Sequence, residues 1–125
     1  MPHTTILYAE DDETLRSAIT ELLEDAGWRV EQCAGGNVAM NRLAGGFLYD
    51  LLLFDNDLPG ATGLELTRYA RRLPRYGRTP IIVFSAGAHE AEARGAGADR
   101  FLRKPEDVAR LVEVVASLVA SGRGA

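Results

Sequence analysis

Leu51-Leu52-Leu53-Phe54-Asp55, entered through Tyr49-Asp50 and left through Asn56-Asp57-Leu58-Pro59-Gly60, settles the architecture of this chain. An apolar run this short, spanning Tyr49 to Phe54 and ended by a Pro-Gly turn signal, reads as a strand covered on both faces. Such strands belong to parallel sheets packed between helices. The run delivers one carboxylate, Asp55, to its C-terminal tip. Open α/β sheets bind ligands beyond the carboxyl ends of their strands, so Asp55 stands where chemistry is done. An Asp that merely caps the next loop is the alternative, and the remaining strand ends decide between the two.

Working outward, Thr4 to Ala9 is a short apolar strand, and Leu15, Ala18, Ile19, Leu22, Leu23 and Ala26 form the stripe of an amphipathic helix ended by Gly27. Trp28 to Cys33 alternates as a strand does, and Val38 to Leu43 is a short helix closed by Gly45-Gly46. Leu64 to Leu73 is the next helix, stopped by Pro74. Pro80 opens the strand Ile81 to Phe84, a weak helix covers His89 to Arg94, and Arg100 to Leu102 is the last strand. Pro105 then starts a final helix with Val108, Leu111, Val112, Val115 and Val119 on one face. Strand and helix alternate five times, which predicts an α/β fold: a five-stranded parallel sheet with helices on both faces, doubly wound as (βα)5.

The 125 residues, 46% hydrophobic and 26% charged, suit one domain over residues 1–125, with an ordered core to about residue 120 and a frayed tail from Ser121 to Ala125. A formal net charge of -4, with basic residues spread along the chain, argues against nucleic-acid binding and for a partner with a basic surface. Nothing approaches the ~20 apolar residues of a membrane span, and the N-terminus lacks a signal pattern, so a cytoplasmic location is expected. The lone Cys33 excludes an intramolecular disulfide and reads as a small buried hydrophobe.

A parallel sheet places all strand C-termini along one edge. That gathers Glu10 and Asp11, Asp55, Ser85 and Lys104 around one site. Three acids brought together repel unless a cation compensates, and hard oxygen donors of this kind suit Mg²⁺. A lysine and a small hydroxyl beside them would clamp the oxygens of a transferring phosphoryl group. Asp55 is then the nucleophile, forming an acyl phosphate.

Taken in order, Ile6-Leu7-Tyr8-Ala9-Glu10-Asp11-Asp12, the segment from Tyr49 to Asp55 with Leu58-Pro59-Gly60 and Gly63, Pro80 to Ala86, Gly97-Ala98-Asp99 and Lys104-Pro105 resemble the receiver domain of bacterial two-component response regulators, stand-alone chemotaxis-type regulators included. The resemblance covers essentially the whole chain and implies the flavodoxin-like fold. It implies Mg²⁺ held by Glu10, Asp11 and Asp55 with the backbone carbonyl of Asp57, and transfer to Asp55 from the phosphohistidine of a sensor histidine kinase or phosphotransfer protein. Ser85 would bond a phosphoryl oxygen and Lys104 would pair with the phosphoaspartate. Phe101 takes the place of the switch aromatic, and the Lys104-Pro105 bond is expected to be cis. A downstream protein target is the implied output. Plain core packing is the alternative for Phe101, and helix capping is the reading for Asp12 and Glu13.

Three features depart from the family pattern. Asp57 and Gly87, each two residues beyond a site residue, look onto the phosphoryl group: Asp57 adds an acid, and Gly87 leaves the opposite side bare, so both are expected to modulate the lifetime of the phosphorylated state. The segment from Ser85 to Lys104 is short and rich in glycine, which predicts an abbreviated fourth helix, and Glu106 replaces an apolar residue. Leu111, Val114 and Leu118 widen the apolar face of the final helix, either as a candidate surface for a partner or a homodimer or because the helix is unusually well buried. Two other functions compete. One is a phosphorylation-independent interaction module that keeps the site as a vestige. The other is a haloacid-dehalogenase-type phosphatase, suggested by Phe54-Asp55-Asn56-Asp57 and Thr62, in which Asp57 would be the general acid and base.

Overall fold

The computed structural model describes residues 4–122. Strand β1 (Thr5–Ala9) lies inside the sheet, next to its edge strand, because the chain first steps outward through helix α1 (Glu13–Asp25) to β2 (Arg29–Cys33). It then returns through α2 (Gly36–Ala44) to β3 (Leu51–Asp55) on the other side of β1. From there α3 (Gly63–Arg72), β4 (Ile81–Ser85), α4 (Glu90–Ala96) and β5 (Arg100–Arg103) follow in one direction, and α5 (Leu111–Gly122) closes the fold. The sheet order is β2-β1-β3-β4-β5 with every pairing parallel. This is the expected doubly wound, flavodoxin-like sheet, and its direction reverses between β1 and β3, the crevice where such sheets take ligands.

Alternation along the strands divides the core into two layers. Leu7, Leu52, Phe54 and Val83 face α2, α3 and α4, while Ile6, Leu53, Ile82 and Phe84 face α1 and α5. Every residue of β3 and β4 is buried, which explains why these two strands carry no polar residue before their tips.

Helix ends follow their local chemistry. Asp12 caps α1 by accepting the Leu15 N–H at 3.0 Å, as read from the sequence. Thr62 and Glu65 form a reciprocal capping box on α3: Thr62 Oγ1 accepts the Glu65 N–H at 3.2 Å, and Glu65 Oε1 accepts the Thr62 N–H at 2.8 Å. At the end of α4, Gly97 adopts φ 112°, a conformation that a side chain would strain. Arg71 pins that corner, donating to the carbonyls of Gly97, Tyr76 and Thr79 and to the carboxylate of Asp99.

Some expectations are corrected. The last helix begins at Leu111 rather than at Pro105, because a turn occupies the interval: the Asp107 carboxylate accepts the Arg103 N–H at 2.8 Å, and a 3-10 turn over Val108–Arg110 follows. The Lys104-Pro105 bond is cis. Leu111 and Val114 are core residues, 0% and 3% exposed, so the width of the apolar face of α5 is absorbed by the sheet and only Leu118 of that trio is partly accessible. On α1 the buried stripe is narrower than its spacing implied, with Ile19 and Leu23 inside, Ala18 and Ala26 exposed and Leu22 42% exposed. Backbone helix continues through Ser121 and Gly122, and residues 123–125 lie outside the described residues.

Packing at the head of α2 makes a sharp prediction. A Cβ on Gly36 would fall 1.9 Å from the carbonyl oxygen of Ala61 and 2.5 Å from its nitrogen, both backbone atoms that cannot step aside. Gly36→Ala is therefore expected to destabilise the fold by about 3 kcal/mol, the upper part of the usual overpacking range. Urea unfolding is the check, and an unchanged midpoint would show that α2 can retreat from the β3–α3 loop.

Candidate functional site

Glu10 is the first residue past β1. Its N–H continues the ladder to Cys33 O at 2.9 Å, and its own carbonyl accepts Arg16 Nη1 at 2.9 Å, so the backbone is held from both sides. Its carboxylate, 1% exposed as a residue, accepts the Asp12 N–H at 3.2 Å through Oε2. Asp55 ends β3, likewise 1% exposed. The loop beyond it is folded back onto α3: Asn56 Oδ1 accepts the Leu64 N–H at 3.1 Å, and a Cβ on Gly63 would sit 2.6 Å from Asp55 O. Asn56 and Gly63 thus fix where the Asp55 side chain starts. Gly63 carried a sequence signal only as a family match, and Asn56 only as part of the stretch that suggested a phosphatase.

Lys104 joins these two strands. It leaves β5 with its N–H on Ser85 O at 3.0 Å and reaches across β4, its ammonium 5.4 Å from the centre of the Phe84 ring. Nζ donates to Glu10 Oε1 at 2.7 Å and to Asp55 Oδ1 at 2.8 Å. Sequence reading paired this lysine with Asp55 once phosphorylated. Its second partner, Glu10, emerges only from the fold. Glu10, Asp11 and Asp55 each present an oxygen within 4.8 Å of the others, with Asp11 the exposed member.

Electrostatics show a site short of positive charge. Burial holds the Asp55 carboxyl above its ordinary range, although the Lys104 ammonium and the Asp57 N–H pull the other way. Burial likewise raises Glu10, against the bond from Lys104. Burial opposes the charge of Lys104, but the bonds to Asp55 and Glu10 outweigh it and raise the pKa. One ammonium therefore does not fully compensate two buried carboxylates with a third beside them. The donor set fits a small hard divalent cation: acidic oxygens in reach of one another and incompletely neutralised.

The other expected residues lie around this centre. Ser85 is fully buried at the tip of β4, and its Oγ accepts the Gly87 N–H at 3.1 Å. Phe101 is 8% exposed, packed into the core layer under α4. Asp57 is exposed on the loop after β3. Gly87 does not leave bare ground: a Cβ there would lie 2.6 Å from His89 Nε2, so an imidazole from the head of α4 fills the space. Thr62, which the phosphatase reading required, is spent on capping α3. Cys33 is buried and unpaired, its thiol pushed up to about 11 by burial.

A lysine bridging two buried acids at the topological switch of a parallel doubly wound sheet is the arrangement that the receiver resemblance implies. Residues 6–116 match the family described as the response regulator receiver domain. The chain belongs to that family and is a phosphorelay receiver. It is 37% identical over 117 residues to the phosphate regulon transcriptional regulatory protein PhoB of Rhizobium meliloti, covering 91% of this chain and 51% of that protein. It is 33% identical over 123 residues to the sensory/regulatory protein RpfC of Xanthomonas campestris, covering 94% of this chain and 17% of the relative. The chain thus spans about half or less of these two relatives. Among solved structures, the receiver domain of sensor histidine kinase PA1611 from Pseudomonas aeruginosa is 29% identical, with a TM-score of 0.85 over 96% of this chain and all (100%) of that one. That structure holds a magnesium ion in its active-site cleft. Receiver domains are signalling domains that interact with histidine kinases and downstream targets. No described helix is long and apolar enough to cross a membrane.

Proposed function

We propose that Asp55 is the phosphoacceptor, loaded from the phosphohistidine of a sensor histidine kinase or phosphotransfer protein. The observation that carries this is the Lys104 ammonium bridging the buried carboxylates of Asp55 and Glu10. A carboxylate oxygen of Asp55 attacks phosphorus, the P–N bond breaks, and the donor imidazole leaves. Glu10, Asp11, Asp55 and the Asp57 carbonyl would hold Mg²⁺, which would supply positive charge opposite the phosphoryl oxygens. Lys104 stays on the acyl phosphate as a fixed cation. Ser85 Oγ already accepts a bond from Gly87, so its own proton is available for a phosphoryl oxygen. Phe101, opposite Val83 and so two strand positions before Ser85, is the proposed switch residue for a downstream protein target. Asp57, exposed and two residues from Asp55, is placed to influence how long the acyl phosphate survives.

Incubation with acetyl phosphate and Mg²⁺ is expected to add one phosphoryl mass, located by fragmentation to the peptide carrying Asp55. A protein that gains no mass and binds no beryllofluoride is the constitutive interaction module instead. Turnover of a generic phosphatase substrate would restore the hydrolase reading.

The metal assignment has its own check. Asp11 contributes its oxygen from an exposed side chain, so Asp11→Asn should leave the fold intact. Outer partners of metal ligands already contribute ~10- to 100-fold in affinity, so loss of a ligand charge is expected to weaken Mg²⁺ binding by at least ~10-fold. Calorimetry with Mg²⁺ measures this directly, and wild-type affinity in the variant would move the cation elsewhere.

A further inference from the structure

We infer that His89 is a residue of the phosphorylation site, acting from the wall that Gly87 leaves open to take a proton from the water that hydrolyses phospho-Asp55. The inference rests on the phosphoacceptor reading above. Three observations carry it. Position 87 has no side chain, and the Nε2 edge of the His89 ring stands 2.6 Å from where a Cβ would be. The same residue, Gly87, is tied to Ser85 Oγ by its N–H at 3.1 Å, which puts the ring beside the hydroxyl proposed to bond the phosphoryl group. On its far side the ring bonds Glu92 Oε1 through Nδ1 at 3.2 Å. A carboxylate on Nδ1 selects the tautomer with its proton there and leaves the Nε2 lone pair facing Gly87.

The step balances without another reactant. Water oxygen forms the new bond to phosphorus, the P–O bond to Asp55 breaks, and the Asp55 carboxylate is regenerated. One water proton passes to Nε2, the other stays on inorganic phosphate, and the imidazolium later loses its proton to solvent. Glu92 stabilises the imidazolium. Glu90, on the same helix, is paired with Arg94. Across the site the charged groups are Lys104 with Asp55 and Glu10, and the exposed Asp11 and Asp57.

The test is the decay of phospho-Asp55 after acetyl phosphate is removed, with Mg²⁺ present, from pH 5 to 9 in wild type, His89→Gln, His89→Ala and Glu92→Gln. Positioned general bases contribute ~10²- to 10⁴-fold, and a ring this open to solvent belongs at the low end. Wild type at pH 8 should therefore decay up to ~10²-fold faster than either His89 variant. Glu92→Gln should fall between them. The ratio of wild type to variant should shrink toward one at the acid end of that range, a profile that a packing role would not produce. Equal decay rates, faster decay in His89→Ala, or a ratio independent of pH would overturn the inference. So would slowing by Asp57→Asn alone, which would give the water to that carboxylate. Failure of wild type to accept a phosphoryl group is a different result, and it would overturn the phosphoacceptor reading itself.

Discussion

Asp55→Asn should abolish phosphoryl labelling and, in metal-free protein, should raise stability rather than lower it. The first effect is all or none, because an amide oxygen is a poor nucleophile and no other described carboxylate has both the burial and the lysine contact of Asp55 except Glu10. The second follows from the sign of the pKa displacement. The Asp55 carboxyl is held above its ordinary value by burial, so the folded state binds protons more tightly than the unfolded state does. Stability from that group is present below its unfolded pKa and is lost as pH rises through the folded one. Asn never ionises, so the variant escapes the loss. Thermal unfolding at pH 8 without metal should place the variant above wild type, with the gap closing toward pH 4 and on addition of Mg²⁺. Labelling of the variant equal to wild type would move the acceptor, and a gap of opposite sign would mean that the Lys104 contact outweighs burial.

Lys104→Met is the converse, and its expected effect on stability is the largest in the molecule. The stem of Lys104 is largely covered, so Met replaces much of its packing while removing the only ammonium on Asp55 and Glu10 among the described residues. Stripping one partner from a buried ion pair commonly costs about 3–5 kcal/mol, because the remaining charges stay desolvated. Here two carboxylates are left, both already displaced upward by burial. The loss should therefore be greatest at alkaline pH and fade as pH falls and the acids take up protons. Mg²⁺ at millimolar concentration should recover much of it through binding to the folded state. Denaturation midpoints at pH 5 and 8, with and without Mg²⁺, give the four values needed. A loss independent of pH and of metal would assign Lys104 a packing role only.

These two effects oppose each other because one ammonium serves two acids, and no reading of residue order could count that stoichiometry. Glu10 and Lys104 are 94 positions apart in the chain. The order of motifs brings them to one sheet edge, but only side-chain reach across β4 makes a single Nζ the partner of both.

How much was legible depends on the range of the interaction involved. Period-two and period-3.6 patterns are local, so the alternation of strands and helices, the burial of β3 and β4, and the cap at Asp12 could be read directly from Leu51 to Phe54, Ile81 to Phe84 and the acids after Ala9. Parallel pairing then follows from strands too apolar to face water, and with it the convergence of Glu10, Asp11, Asp55, Ser85 and Lys104. The errors came where two faces compete for one helix. Leu111 and Val114 looked like a surplus apolar flank, yet the sheet is wide enough under α5 to cover them, while Leu22 and Val38 remain exposed at 42% and 48%. The start of α5 was misplaced because Pro105 favours a helix N-terminus in isolation, whereas the Asp107 carboxylate holds the preceding backbone in a turn.

The amino-acid order alone therefore determined the architecture and the inventory of the site, since both rest on residue type and spacing. Tertiary structure decided the rest: which acid shares the lysine, what holds Asp55 in place through Asn56 and Gly63, and that the gap at Gly87 is filled by His89. Each of those depends on the direction and length of a side chain crossing between elements, a property of three-dimensional packing that residue spacing does not encode.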